Sequence, residues 1–254
     1  MNLHEYQPKE RFSTKANYYT YRPEYPIEII KILQKEIRFS QNFIVADIGA
    51  GTGKLTKLFI ENKNKVYAVE PNEEMLKKAN ERFKNYLNYS YVNSCAEKTL
   101  LESNSIDVIT IGQALHWFYI PKVKKEFFRI LKEPGYIVIV GNKPSFDNKY
   151  LLKEVNELHK KYCYKKNNKI DHEKIPYDDL FKPFSSNNIT FSNKLHQNIE
   201  RTIQGMLSCS FVPDTTQKEH SQYVTTLQKI LSKYAENNIL EATLSTMVTF
   251  GRAK

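Results

Sequence analysis

The stretch FIVADIGAGTG, Phe43–Gly53, is an apolar run closed by an acid and followed by glycine at every second position. Phe43-Ile44-Val45-Ala46 predicts a buried strand, because apolar and β-branched residues continue without polar alternation. Gly49, Gly51 and Gly53 then allow a tight turn and a close backbone approach to a ligand. From Lys54 onward Leu55, Leu58 and Phe59 fall on one helical face. A strand, a glycine turn and a helix N-terminus together form a nucleotide-sized binding site.

Two other glycine motifs are excluded by register. A phosphate-binding P-loop would place its first glycine at position 48 and Ser or Thr at 55, where Ile48 and Leu55 stand. The dinucleotide fingerprint would put its third glycine at Lys54 or at Thr56, and both registers fail. What remains is Asp47-x-Gly49-x-Gly51-x-Gly53. A carboxylate in that turn is a poor neighbour for pyrophosphate and suits a cationic group such as a sulfonium or ammonium.

Val45–Gly53 resembles motif I of the class I S-adenosylmethionine (SAM)-dependent methyltransferases. The rest of the first half agrees. Lys65–Glu70 is a second strand ending in an acid, and Glu70 lies 19 residues after Gly51, near the ~20 expected of a carboxylate that binds ribose hydroxyls. Asn72 is placed to cap the next helix, with Met75, Leu76, Ala79 and Phe83 as its buried stripe. A third strand, Tyr89–Asn93, runs into Cys95-Ala96-Glu97. Ser105–Ile111 is a fourth strand, followed by Gln113-Ala114-Leu115-His116-Trp117-Phe118, which holds the sole tryptophan. Pro121–Lys132 is expected as a helix stopped by Pro134-Gly135, and Tyr136–Val140 as a fifth strand. Alternating helix and strand from 27 to 141 predicts a doubly wound parallel α/β sheet.

Outside this core, Tyr18-Tyr19-Thr20-Tyr21-Arg22-Pro23 and Pro26 make an N-terminal strap. Its arginine and tyrosines suit either a carboxylate-gripping, ring-stacking site or simple packing on the domain. Two amphipathic helices are expected over 151–162 and 223–234. Between them come a strand at 189–196, a short helix near 202–208 and the segment Ser208–Pro213, which is either a pocket wall or an ordinary helix exit. Ala242–Phe250 reads as the last strand. The whole chain, 1–254, is expected as one domain, with the strap at 1–26, the SAM-binding core at 27–142 and further strands with a helical cap at 143–254.

The family resemblance carries further expectations. It implies a Rossmann-like seven-stranded sheet, mostly parallel with the last strand antiparallel, and SAM as cofactor, leaving S-adenosylhomocysteine. The strap pattern Tyr18–Pro26 and Gln113–Phe118 resemble segments of a subgroup that includes trans-aconitate methyltransferase-like proteins. On that basis Tyr19, Arg22, Asp47, Gly49, Ala50, Gly51, Gly53, Glu70, Pro71, Cys95, Ala96, Glu97, Gln113 and Ala114 are expected around the cofactor. Tyr18, His116, Trp117 and Phe211 are expected toward the substrate. His116 is either a general base or an orienting, packed histidine. An Asp that usually closes the second pattern is replaced here by Tyr119.

Composition sets the outer bounds. Of 254 residues 41% are hydrophobic, and no apolar run of ~18 residues predicts a membrane span. The first residues, MNLHEYQPKERF, lack the apolar core of a signal peptide. Cys95, Cys163 and Cys209 are widely spaced and odd in number, so neither a metal site nor a disulfide framework is expected, and the chain is read as cytoplasmic. The net charge of +10 raises nucleic acid as a partner. The excess is spread, however: 7 basic and 5 acidic residues over 1–40, 14 and 11 over 41–142, 17 and 12 over 143–254. The one local run is Lys160, Lys161, Lys165, Lys166 and Lys169. The expected partner is therefore a small-molecule methyl acceptor. A methyltransferase acting on RNA or another macromolecule and a non-catalytic SAM-binding regulator stand as alternatives.

Overall fold

The computed structural model describes residues 15, 17–163 and 177–254; Phe12 of the strap and Lys165, Lys166 and Lys169 lie outside them. Seven strands form one sheet: β1 (Ile44–Ile48), β2 (Lys65–Val69), β3 (Tyr89–Val92), β4 (Ile106–Gly112), β5 (Leu131–Phe146), β6 (Asn187–Asn198) and β7 (Ile239–Arg252). Their spatial order is β3-β2-β1-β4-β5-β7-β6. Strands β1 to β5 pair in parallel, and β7 runs antiparallel to both β5 and β6. The seven-stranded sheet with a reversed last strand is thus as expected.

Helices α1 (Glu28–Ile37), α2 (Lys54–Glu61), α3 (Glu73–Phe83) and α4 (Ile120–Ile130) cover the parallel strands. Two apolar layers result. Ile29, Leu33, Phe59, Val66, Phe83 and Val108 pack on one face; Ile48, Ile109, Val123, Phe127 and Ile137 pack on the other. Strands buried on both faces explain the continuous apolar runs in their sequence. Helix α3 begins as its sequence predicts, with the Asn72 side chain accepting from the Met75 amide at 2.9 Å.

Two boundaries differ from expectation. Helix α4 ends at Ile130, where Leu131 turns extended, and Pro134-Gly135 sits within β5 instead of stopping the helix. Leu131 already pairs with Ile106, and the register slips before Tyr136 pairs with Val108. Strand β5 also runs on to Phe146, because β7 continues beside it as far as Ala242. Long-range pairing, invisible in local periodicity, sets that length.

Beyond β5 a third apolar cluster forms the cap. It joins α5 (Lys149–Tyr162), α6 (Ile199–Leu207) and α7 (His220–Tyr234) through Leu151, Val155, Ile203, Leu207, Tyr223, Leu227 and Leu231. Among the described residues no helix is long and apolar enough to cross a membrane.

Candidate functional site

Strand order reverses between β1 and β4: the chain steps outward to β2 and β3, then crosses back. In an open α/β sheet the crevice at that switch point, beyond the strand C-termini, is where ligands bind. The glycine turn after β1, Glu70 after β2 and Gln113–Phe118 after β4 all fall there.

All three glycines have positive φ: +71° at Gly49, +58° at Gly51 and +78° at Gly53. Their surroundings separate them. A Cβ on Gly49 would lie 2.6 Å from the Ala114 Cβ, and one on Gly53 would lie 2.3 Å from the Phe83 ring. A Cβ on Gly51 would meet nothing within 4 Å. The outer glycines therefore let the turn pack against the protein, while the middle one faces open space. The turn is tied to β2 through the amides of Gly49 and Ala50, which donate to the Val69 carbonyl at 2.8 and 3.1 Å.

Glu70 completes the cradle. Its Oε2 accepts from the Gly51 amide at 2.9 Å, and its Oε1 accepts from the Asn72 amide at 2.9 Å. Each oxygen keeps a further lone pair, so the carboxylate can also take two vicinal hydroxyl donors. Burial pushes its carboxyl up to about 7 against the pull of those two amides, and the nearby Asp47 adds to the rise. Pro71, half-buried, follows at the rim.

Asp47, expected around the cofactor, turns inward beneath the glycine turn. It is 1% exposed, and its two oxygens accept from the hydroxyls of Thr56 (2.5 Å) and Thr110 (3.0 Å). It pins β1 to α2 and β4 beneath the turn. Burial raises its carboxyl to about 6, and the two threonine bonds limit the rise.

The loop after β4 lies over the turn. Ala114 touches Gly49, and the Phe118 ring would be 3.3 Å from a Cβ there. Gln113 adopts φ +57°, is exposed, and donates its side-chain amide to the Asn142 carbonyl. The rings of His116 and Trp117, both half-buried, meet at a tilt of 47° with centroids 4.8 Å apart. Cys95 and Lys98 close a short bridge that holds Ala96 buried. Glu97 accepts from the Tyr119 amide at 3.0 Å, fastening this loop to the start of α4.

The strap divides the expected substrate and cofactor residues differently. Tyr18 packs into the cap cluster. Arg22 stacks on Tyr19, 4.0 Å from the ring centroid, but its guanidinium is committed to Ser208: Nε donates to Oγ at 2.7 Å and Nη2 to the carbonyl at 2.9 Å. Burial raises the Tyr19 phenol, and Arg22, Cys209 and Glu70 all act on it. Phe211 meets the His159 ring edge-on at 5.5 Å, and His159 shares a 3.1 Å hydrogen bond with Tyr223. Sequence reasoning missed Lys54, which is buried at the start of α2 and joins Glu24 at 2.7 Å and the Thr20 carbonyl at 3.2 Å. A lysine directly after a glycine turn gives no local signal of such a role.

Residues 46–139 match the family model described as a methyltransferase domain. The chain is 35% identical over 128 residues to an uncharacterized methyltransferase of Schizosaccharomyces pombe, covering 50% of each chain. It is 29% identical over 135 residues to a malonyl-[acyl-carrier protein] O-methyltransferase of Marinomonas sp., covering 52% of this chain and 50% of that one. The chain thus spans about half the length of the curated relatives it matches. A solved structure described as a type II methyltransferase from Anaeromyxobacter dehalogenans shares the fold, with a TM-score of 0.67 and 19% identity over 91% of this chain and 98% of that one. The stretch that holds the glycine turn, Glu70 and the loop after β4 is thus similar to a methyltransferase domain.

Proposed function

We propose that the protein binds SAM across the ends of β1, β2 and β4 and transfers its methyl group to a small-molecule acceptor. The observation that carries this reading is the Gly51–Glu70 pair. An open, left-handed glycine stands beside a carboxylate bonded to its amide, at the switch point of the sheet. SAM, when bound, supplies a methyl group already activated by its sulfonium. The protein's tasks are then alignment of the acceptor and exclusion of water. Glu70 would accept the ribose hydroxyls, and the open backbone at Gly51 would lie against the donor. The loop at Ala96–Glu97 would border the adenine, and Gln113–Ala114 the sulfonium. Asp47 would act from below, holding the turn rigid through Thr56 and Thr110. Pro71, Cys95, Gly49, Ala50 and Gly53 would shape the cradle walls.

The strap pattern and the loop after β4 support a carboxylate acceptor, like that of the trans-aconitate methyltransferase-like subgroup. Such an acceptor is already ionised near pH 7 and needs no base. His116 and Trp117 would then orient it, with Tyr18 and Phe211 behind them, and the reaction would run in the cytoplasm on free metabolites.

The test is methyl transfer from isotopically labelled SAM to a panel of small carboxylic acids, phenols and amines. Labelled methyl esters are expected, and His116→Ala should keep carboxylate methylation within about tenfold of the parent, since no proton is removed. Labelling of bulk RNA that falls steeply with salt, with no small acid labelled, would overturn the proposal in favour of a nucleic-acid substrate. SAM binding without transfer to any acceptor would favour a regulator.

A further inference from the structure

The strap reaches from the donor turn to the cap, and two cations fasten it on the cap side. Lys15 is 2% exposed, and its Nζ donates to the carbonyls of Cys209 (2.5 Å) and Val212 (2.7 Å). Arg22 takes the Ser208 hydroxyl and carbonyl. Ser208 is the C-cap of α6, where freed carbonyls need donors and the helix dipole favours positive charge; Cys209 and Val212 follow in the exit. The Tyr21 carbonyl lies against the same helix, 3.4 Å from where a Cβ on Gly205 would stand.

The other side of the strap is fastened to the donor half. Lys54, the residue after Gly53, holds the Thr20 carbonyl and Glu24. Asn142 donates to the Glu24 carbonyl at 3.3 Å, and Gln113 donates to the Asn142 carbonyl. Lys78 on α3 donates to Asn17 at 2.7 Å. Between the two sets of bonds Tyr19 lies beneath Arg22.

We infer that Lys15 and Arg22 are positioning residues that couple the donor turn to the α6 exit, so that a bound donor orders Ser208–Val212, and this wall in turn slows donor release. The proposal rests on the SAM reading above. Neither residue touches the reacting atoms. Both act through the strap.

Backbone hydrogen exchange and calorimetry with S-adenosylhomocysteine test this on the full chain. In the parent protein the product should bind and slow exchange at 203–212 as well as at 49–53. Lys15→Met should weaken binding about tenfold, the effect of losing charge-assisted hydrogen bonds, and should abolish the slowing at 203–212 while keeping it at 49–53. Lys15→Arg, which keeps a cation for the carbonyls, should restore both. Ser208→Ala removes one Arg22 acceptor without approaching the donor and should give a smaller loss of the same kind, so the test survives if Lys15→Met fails to fold. Unchanged affinity in both Lys15→Met and Ser208→Ala, or retained protection at 203–212 in both, would overturn the coupling. Failure of the parent protein to bind the product at all would overturn the SAM reading itself, and the coupling with it.

Discussion

The donor half of the molecule and the cap half are built on different principles. At the donor turn almost every functional contact joins strand ends that are neighbours in the sheet: Gly51 to Glu70, Gly49 and Ala50 to Val69, Asp47 to Thr110. In the cap half the contacts join remote segments, as Lys15 joins Val212 and His159 joins Tyr223. A site made of backbone amides and glycines is set by the strand–turn–helix order itself. A site made of side chains from a strap and three helices is set only by how those pieces pack. On the function proposed above, the first would hold a donor shared by many enzymes, and the second would be free to change acceptor.

The glycines offer the strongest way to break this contrast. Gly53→Ala adds left-handed strain of roughly 1–2 kcal/mol and forces the Phe83 ring to move at a further cost of roughly 1–3 kcal/mol. It should lower the denaturation midpoint markedly. Gly51→Ala adds the strain alone, so most of the stability should remain while SAM affinity falls tenfold or more. Unchanged SAM affinity in Gly51→Ala would show that Gly51 does not face the ligand.

A smaller effect is expected from Glu70→Gln. The amide keeps one oxygen acceptor but loses the charge, and hydrogen bonds to charged groups are worth roughly 1.5–3 kcal/mol. SAM affinity should therefore fall at pH 8 by about ten- to hundredfold. The pH dependence sharpens the assignment. Because the folded carboxyl stays protonated up to about 7, well above its usual value, SAM binding by the parent protein should weaken as pH falls through 7. The stability of the free protein should shift the other way. Between the ordinary carboxylate range and 7 the folded state holds a proton that the unfolded chain has released, so Glu70 favours folding as pH falls across that window. Asp47, raised to about 6, acts in the same direction. In Glu70→Gln the slope of SAM affinity between pH 6 and 8 should flatten, as read by calorimetry.

The smallest effect belongs to the cap. Tyr223→Phe removes only the hydrogen bond to His159 and should cost about 1 kcal/mol of stability by chemical denaturation. SAM affinity should be unchanged. A large loss of SAM binding would mean that the cap core reaches the donor turn by a route other than the strap.

The same contrast governs what could be read from the sequence. The alternation of helices and strands in the parallel core, the glycine turn and the place of Glu70 at a strand end were legible because apolar runs, glycine spacing and the interval to the next strand end are local patterns. The inward turn of Asp47 was not, since it depends on Thr56 and on Thr110, 63 residues away. Nor was the commitment of Arg22 to Ser208, across 186 residues. Lys15 carries no motif at all, and its role exists only because α6 ends beside it. Strand β5 outran its apparent end because its partner β7 continued.

The central claim is that the turn at Gly51 and Glu70 receives SAM. Thermal unfolding with added ligand measures it most directly, because a molecule that binds only the folded state raises the midpoint by an amount that grows with the logarithm of its concentration above Kd. S-adenosylhomocysteine and SAM should each raise the midpoint of the parent protein and NAD should not; Glu70→Ala, whose unliganded midpoint falls with the loss of two amide acceptors, should lose most of the ligand-induced rise. A rise with NAD and none with either adenosyl ligand would contradict the claim.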